Sequence, residues 1–128
     1  MDLVVLEPRD PTPIYAQLDR GLRAAIATGR LRPGDQLPTV RQLAVQLRVN
    51  ANTVARVYAE LERAGVIETR RGVGSFIAAG GTDARPADAK ARGLRTFATR
   101  VLADAAAAGF SVDDVIAALA ARRHQSDH

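Results

Sequence analysis

Hydrophobic residues recur at the three- and four-residue spacing of an amphipathic α-helix in five stretches of the chain. The spacing predicts helices over residues 13–28, 39–48, 51–64, 91–109 and 111–120. Only a short turn separates the second of these helices from the third, so the pattern indicates a helix-turn-helix. The last residues, 121–128, are expected to fray.

Helix start signals support these boundaries. Thr39 is followed three residues later by Gln42, and Ser111 is followed by Asp114 at the same spacing, as in a capping box. Pro13 suits the first turn of a helix, where no backbone N–H is needed. The N-caps predicted from these signals are Thr12, Thr39, Asn50 and Ser111.

A β-hairpin is predicted over residues 66–77. Two short β-like runs flank Arg71-Gly72-Val73-Gly74, which is typical of a glycine-rich tip. The two glycines could also suggest a phosphate-binding loop, but the required strand-to-helix setting is missing, so a turn is favoured. The extended pair Gln36-Leu37 can add to one of the strands.

The chain therefore divides into three parts. Residues 1–78 are predicted to form a winged helix-turn-helix domain, mostly α with a small β-hairpin (α+β). Residues 79–90 are small, polar and interrupted by Pro86, so we interpret them as a linker. Residues 91–128 are predicted to form a separate segment of two helices.

Composition narrows the class of protein. The 128 residues are 47% hydrophobic and 25% charged, which is typical of a globular protein. No cysteine is present, which suits the reducing cytoplasm, and neither the first ten residues nor any later run is typical of a membrane segment. The net charge is +4, and all but one of the basic residues are arginine. Their positions therefore matter more than the total.

The third helix has two different sides when its residues are placed at ~100° intervals. Asn52, Arg56 and Arg63 share one side, and Thr53 lies beside them. The opposite, apolar side is predicted to be buried and contains Val54, Val57, Tyr58 and Leu61.

The polar side has the chemistry of a helix that enters the DNA major groove. Arginine can pair with guanine through two hydrogen bonds, and asparagine can do so with adenine. Alanines at positions 51, 55 and 59 leave the backbone free to approach closely. An ordinary solvated face is the alternative. DNA binding is favoured because Arg41 begins the preceding helix and Arg70 and Arg71 stand at the hairpin tip.

These residues resemble a known family. The runs GRLRPGDQLPTVRQLA and VNANTVARVYAELERAGVIETRRGVGSF closely resemble the winged-helix domain of GntR-family bacterial transcription regulators. The run NTVARVY and the motif PIYAQ at residues 13–17 are similar to the YtrA-like subfamily. The resemblance covers roughly residues 10–78.

The resemblance implies roles for matching positions. Arg41 is expected to hold a phosphate, and Arg56 to face the groove as the preferred base reader. Ala51 stands where many relatives have proline or a polar or basic residue, and Ala55 stands where other GntR branches carry a base-contacting arginine. The predicted DNA-binding residues are Thr39, Arg41, Asn50, Ala51, Asn52, Thr53, Arg56, Arg70, Arg71 and Gly72.

The two C-terminal helices are predicted to dimerise. About 35 residues are too few to enclose a metabolite, and their apolar faces would stay exposed in a monomer. Folding back onto the winged helix is the alternative to pairing with a second copy. The predicted dimerisation residues are Leu94, Phe97, Val101, Leu102, Val112, Val115, Ile116 and Leu119.

The sequence thus predicts a transcription regulator that binds an inverted repeat in double-stranded DNA as a homodimer. The resemblance to the family implies that the regulator is a repressor. No catalytic pair of side chains stands out, and no cofactor or membrane partner is expected. His124 and His128 have a metal-like spacing, but a frayed tail is a poor site. A protein-docking module built on the same scaffold is the rival hypothesis, and it would favour exposed apolar residues on the third helix.

Overall fold

The computed structural model describes residues 3–78 and 86–125, and side chains up to residue 123. The chain forms two compact units, residues 1–81 and 82–128. The elements of the first unit are α1 Ile14–Ala27, α2 Val40–Leu47, α3 Ala51–Arg63, β1 Ile67–Arg70 and β2 Gly74–Ile77. The second unit contains α4 Ala87–Ala107 and α5 Val112–Gln125.

Three helices enclose the core of the first unit. α3 packs against both α1 and α2, and β1 packs against α3. Each helix contributes the apolar stripe that its spacing predicts, so the buried sides meet in one cluster. The largest fully buried side chains are Leu18, Leu22, Leu43, Val54, Val57 and Leu61.

Side-chain caps begin both α2 and α3, as predicted. The Thr39 hydroxyl accepts from Gln42 N at 3.1 Å, and Thr39 N donates to Gln42 Oε1 at 2.9 Å. Asn50 Oδ1 accepts from Asn52 N at 2.8 Å. Arg48 ends α2 in the left-handed conformation, with φ of 58°. The turn between the two helices is therefore three residues long, 48–50, and one amide in the first turn of each helix is satisfied by its cap.

The start of α1 differs from the prediction by one residue. Pro13, rather than Thr12, is the N-cap, and it makes no side-chain capping bond. The backbone N–H of Thr12 donates to Asp10 Oδ1 at 2.8 Å, and the Gln17 side chain donates to the Thr12 carbonyl at 2.9 Å. Thr12 is therefore held in the turn that precedes the helix.

The predicted hairpin and its extended partner are confirmed. β1 and β2 pair antiparallel, with Ile67 opposite Ile77 and Arg70 opposite Gly74. Gln36 forms a bridge to Phe76. Gly74 has a φ of 143°, which favours glycine, and a Cβ there would lie 2.6 Å from Gln36 Nε2, so the Gln36 side chain would have to move.

The second unit corrects two boundaries. Pro86 is the N-cap of α4, and Asp88 lies in its first turn, so residues 87–90 are helical rather than part of a linker. Proline disrupts the interior of a helix but suits its start. Pro86 therefore marks the beginning of α4 and not a linker. The rest of the predicted linker, residues 79–85, lies outside the described residues. α5 also continues to Gln125, beyond its predicted end.

α4 and α5 form a helical hairpin. The predicted capping box is present, because Asp114 N donates to the Ser111 hydroxyl at 3.1 Å and Ser111 N to Asp114 Oδ2 at 2.9 Å. Ala105 is buried, and Val101 and Val115 are partly buried. The large apolar side chains that are exposed in this unit are Leu94, Phe97, Leu102, Phe110, Val112, Ile116 and Leu119.

Candidate nucleic-acid interface

The two sides of α3 differ as the sequence predicts. Thr53 is partly buried, and Ala51, Asn52, Ala55 and Arg56 are exposed. No large apolar side chain of α3 is exposed. The exposed side is therefore polar and basic over its first two turns. The buried side consists of Val54, Val57, Tyr58 and Leu61.

Arg56 is held by two neighbours. Its Nε lies 3.3 Å from Glu60 Oε1, one helical turn further along α3. Its Cζ lies 3.9 Å from the centroid of the Tyr15 ring on α1. Within the described residues, the two terminal amino groups of Arg56 donate no hydrogen bond, and its side chain is 56% exposed. Glu60 thus contacts one edge of the guanidinium and Tyr15 one face, while more than half of the Arg56 side chain is exposed.

Tyr15 is a contact that sequence reasoning missed. The spacing of α1 identifies its buried stripe, but the partner of a half-buried ring on another helix depends on how the helices pack. Glu60, by contrast, lies four residues after Arg56, and that spacing alone is a recognisable signal for an ion pair.

Tyr58 connects α3 to the start of α2. Its side chain is almost entirely buried, with 6% of the residue exposed, and its hydroxyl donates to the Pro38 carbonyl at 2.7 Å. Burial raises the pKa of Tyr58 to about 12. Pro38 immediately precedes the Thr39 cap, so this bond sets where α2 begins relative to α3. Sequence reasoning counted Tyr58 only as an apolar core position.

The start of α2 presents Arg41. This residue is exposed in the first turn of the helix, beside backbone N–H groups. Thr39 is also exposed, but its hydroxyl is already used by the capping box. Arg41 borders a shallow hollow that reaches Ala51 at the start of α3. Residues of α2 and the first residue of α3 therefore line the same surface hollow.

The two wing arginines have different environments. Arg70 pairs with Glu68, with Nη2 3.0 Å from Oε1, and its Cζ lies 4.3 Å from the centroid of the Phe76 ring. Arg71 is exposed in the turn and forms no ion pair or hydrogen bond with another described residue. Gly72 has a φ of 77°, which glycine adopts readily. Arg71 is therefore the wing cation that is available to a ligand, whereas Arg70 already contacts Glu68 on β1 and Phe76 on β2.

Among residues 3–78 and 86–123, no group of three or more histidine, aspartate or glutamate side chains could hold a metal ion. The side chains of His124 and His128 lie outside the described part of the chain. None of the described helices is long and apolar enough to cross a membrane.

A helix-turn-helix followed by a β-hairpin, with an exposed basic face on the second helix of the turn, is a winged helix-turn-helix domain. The model for "Bacterial regulatory proteins, gntR family" matches residues 14–77, half of the chain. The chain belongs to the GntR family and is YtrA-like.

A named relative is the transcriptional repressor YtrA of Bacillus subtilis. It is 45% identical over 75 residues, which cover 59% of this chain and 58% of the relative. The matched stretch thus spans little more than half of that protein. That relative is named as a transcriptional repressor with a helix-turn-helix.

Solved structures share the fold. The GntR-family transcription factor YtrA of Sulfolobus acidocaldarius aligns with a TM-score of 0.59 and 30% identity, covering 80% of this chain and 99% of that one. The DNA-binding domain of AraR, solved with the operator ORX1, aligns with a TM-score of 0.53 and 25% identity. That alignment covers 61% of this chain and 96% of the AraR chain.

Proposed function

We propose that this chain is a sequence-specific DNA-binding transcription regulator that represses by binding an inverted-repeat operator as a homodimer. One observation carries the proposal: the side of α3 opposite its buried stripe is exposed, polar and basic. The name of the YtrA relative as a repressor supports the direction of regulation, and the AraR domain solved with operator DNA supports the ligand.

α3 is the proposed recognition helix. Asn52 and Arg56 lie one turn apart on its exposed side, where they can reach base edges in the major groove. Tyr15 and Glu60 restrict the Arg56 side chain before any DNA is bound. Less side-chain entropy is then lost on binding, and the free terminal amino groups remain able to pair with guanine O6 and N7.

The flanking elements are proposed to hold the backbone of the duplex. Arg41 lies beside the N-terminal amides of α2, a setting that favours a phosphate. Arg71, with Gly72, would extend the contact from the wing to adjacent DNA. Thr39 and Asn50 cap the two helices and would fix the amides that face the phosphates. Ala51, Thr53 and Arg70 complete the proposed contact set.

Arg41 and Arg71 should contribute without regard to base sequence. The plot of log affinity against log salt concentration has a negative slope, and each phosphate contact that is lost should make that slope less steep by roughly 0.9. Arg41→Ala and Arg71→Ala are therefore expected to weaken operator and random DNA alike and to reduce that slope. Arg23→Ala is the matched control, because Arg23 lies on α1 and pairs with Asp19. An unchanged slope in both variants would contradict the phosphate role.

The second unit is proposed to supply the dimer. The exposed apolar side chains of α4 and α5 need a partner surface, and a second copy presents the same residues across a two-fold axis. An open hollow of about 680 Å³ at the α4–α5 turn, lined by Phe110, Val115 and Leu119 among others, can receive such a partner. Two recognition helices would then reach half-sites about one turn, ~34 Å, apart.

Light scattering tests the dimer. The chain has a mass of 13.6 kDa, so a mass twice that value is expected at micromolar concentration. Phe97→Glu places a charge in the exposed apolar surface and should return the mass to that of one chain. A single-chain mass for the unmodified protein would contradict the homodimer.

Selection of bound sequences from random duplex DNA tests the regulator function itself. The expected product is an inverted repeat whose half-sites lie about one helical turn apart. Failure to retain any duplex, even at low salt, would contradict DNA binding and favour protein docking.

A further inference from the structure

An apolar hollow lies inside the proposed DNA-binding surface. Its volume is about 330 Å³, and it opens to solvent between α2 and the start of α3. Arg41 stands at its border, and the other lining residues are Ala44, Val45, Val49 and Ala51. A second shallow hollow on the other side of Val45 is lined by Arg41, Gln42, Val45 and Gln46. Val45 thus forms an exposed ridge between two depressions.

Val45 is an exposed apolar residue on the surface of α2. It is 77% exposed, although its neighbours Leu43 and Ala44 are buried in the core. Its burial is not needed to complete the stripe of α2, which consists of Val40, Leu43, Ala44 and Leu47. An exposed branched apolar side chain beside a basic one suggests a ligand that is apolar and anionic at adjacent points.

DNA offers that combination. Among the atoms that base pairs present in the major groove, the thymine C5-methyl is the apolar group. Phosphates lie along the same strand, with ~3.4 Å of helix rise per nucleotide. Arg41 and Val45 are one helical turn apart, a rise of ~6 Å, so a phosphate on Arg41 would place a base of a nearby nucleotide beside Val45.

The charge of the surface favours the same occupant. No acidic side chain lines either hollow. Ala51 adds a methyl group at the first residue of α3, and alanine is one of the side chains suited to contact with a thymine methyl. An apolar peptide segment would gain nothing from Arg41, whereas a nucleotide uses both parts of the surface.

We infer that Val45 and Ala51 form a receptor for the C5-methyl group of one thymine in each half-site, next to a phosphate held by Arg41. The inference rests on the proposed function and names two determinants of sequence preference within it. Val45 would read an apolar feature of the base pair, whereas Asn52 and Arg56 would read its hydrogen-bonding groups.

Replacing thymine with deoxyuridine tests this directly, because the substitution removes only the C5-methyl group. Each thymine of a selected operator is replaced in turn, and affinity is measured by fluorescence anisotropy. One position per half-site should lose about fourfold, the effect of exposing one buried methyl-sized group. Val45→Ala should lower affinity for the thymine operator and abolish most of the difference between thymine and deoxyuridine there.

Val5→Ala is the matched control. Val5 is also 77% exposed, and it lies in the N-terminal segment outside the proposed interface. This variant should keep the full sensitivity to deoxyuridine. Val45→Thr, which preserves the branched shape but replaces one methyl group with a hydroxyl, should retain only part of it. Far-UV circular dichroism verifies that each variant is folded.

The outcomes separate the two proposals. Operator binding with no thymine-to-deoxyuridine effect, or with an effect unchanged by Val45→Ala, overturns the methyl receptor and leaves the regulator function intact. Absence of binding to any duplex overturns the regulator function and the receptor together. Loss of the difference between thymine and deoxyuridine in Val45→Ala, but not in Val5→Ala, supports the methyl receptor.

Discussion

Replacing Arg56 with alanine removes a side chain that has two separate tasks in this account. Inside the protein, Arg56 joins α3 to α1 through the Tyr15 ring and braces its own helix through Glu60. Toward DNA, its terminal amino groups, which donate no hydrogen bond to a described residue, are the proposed readers of a base. The two tasks predict two different measurable losses.

The stability loss can be estimated from the contacts. The ion pair with Glu60 joins residues four apart on an exposed helix face, a class that contributes ~0.3–0.5 kcal/mol. The cation over the Tyr15 ring, at 3.9 Å from its centroid, adds ~0.5–1 kcal/mol at an exposed site. Arg56→Ala should therefore lower the free energy of unfolding by about 1 kcal/mol.

Urea denaturation followed by circular dichroism measures this loss at one fixed protein concentration. Tyr15→Ala and the double variant complete a double-mutant cycle, whose expected coupling is ~0.5–1 kcal/mol. Arg63→Ala removes the same charge from the last turn of α3 without a ring contact and is the matched control. It should show no coupling to Tyr15.

The DNA loss is measured by competition between operator and random duplexes. A base-reading arginine should cost ~1–3 kcal/mol on the operator and much less on random DNA. Equal losses on both would refute base reading by Arg56 and leave it as a brace between helices. A coupling of zero between positions 15 and 56 would refute the brace.

Three further predictions concern the helix-turn-helix itself. Tyr58→Phe deletes the bond to the Pro38 carbonyl and should lower the free energy of unfolding, measured in urea, by ~1 kcal/mol. Because the folded-state pKa of Tyr58 is raised to about 12, the stabilising contribution of the Tyr58 hydroxyl is complete below pH 10 and is lost as pH rises toward 12. Urea denaturation at a series of pH values should show this fall in stability for the unmodified chain and not for Tyr58→Phe. Arg48→Gly relieves the strain of a left-handed backbone, so it should raise the free energy of unfolding by up to ~1 kcal/mol and raise the thermal midpoint. An unchanged or lower midpoint would contradict the strain. Thr39→Ala breaks the capping box and should cost ~1 kcal/mol in the same urea assay, whereas Thr39→Ser should cost little.

Local rules account for what could be predicted from the sequence. The capping boxes at Thr39 and Ser111 involve residues three apart, so their spacing alone identifies them. The stripe of α3 and the glycine-rich wing are equally local. These features are enough to define a winged helix-turn-helix before any coordinates are known.

Contacts between elements could not be predicted in this way. Tyr15 meets Arg56 only because α1 and α3 pack together at one crossing, and no spacing along the chain encodes that distance. Arg70 and Arg71 are adjacent in sequence, yet strand pairing places Phe76 beside one and leaves the other in the turn. Pro86 was misread because proline both ends and begins helices, depending on whether a good helix former follows.

The ratio of operator affinity to random-DNA affinity at ~0.15 M salt tests the central claim most directly. A specific regulator should bind its selected inverted repeat at least ~1,000-fold more tightly than random duplex of equal length. Exposed arginines that merely solubilise the surface or attract any polyanion would give a ratio near one, and that result would contradict sequence-specific regulation by this chain.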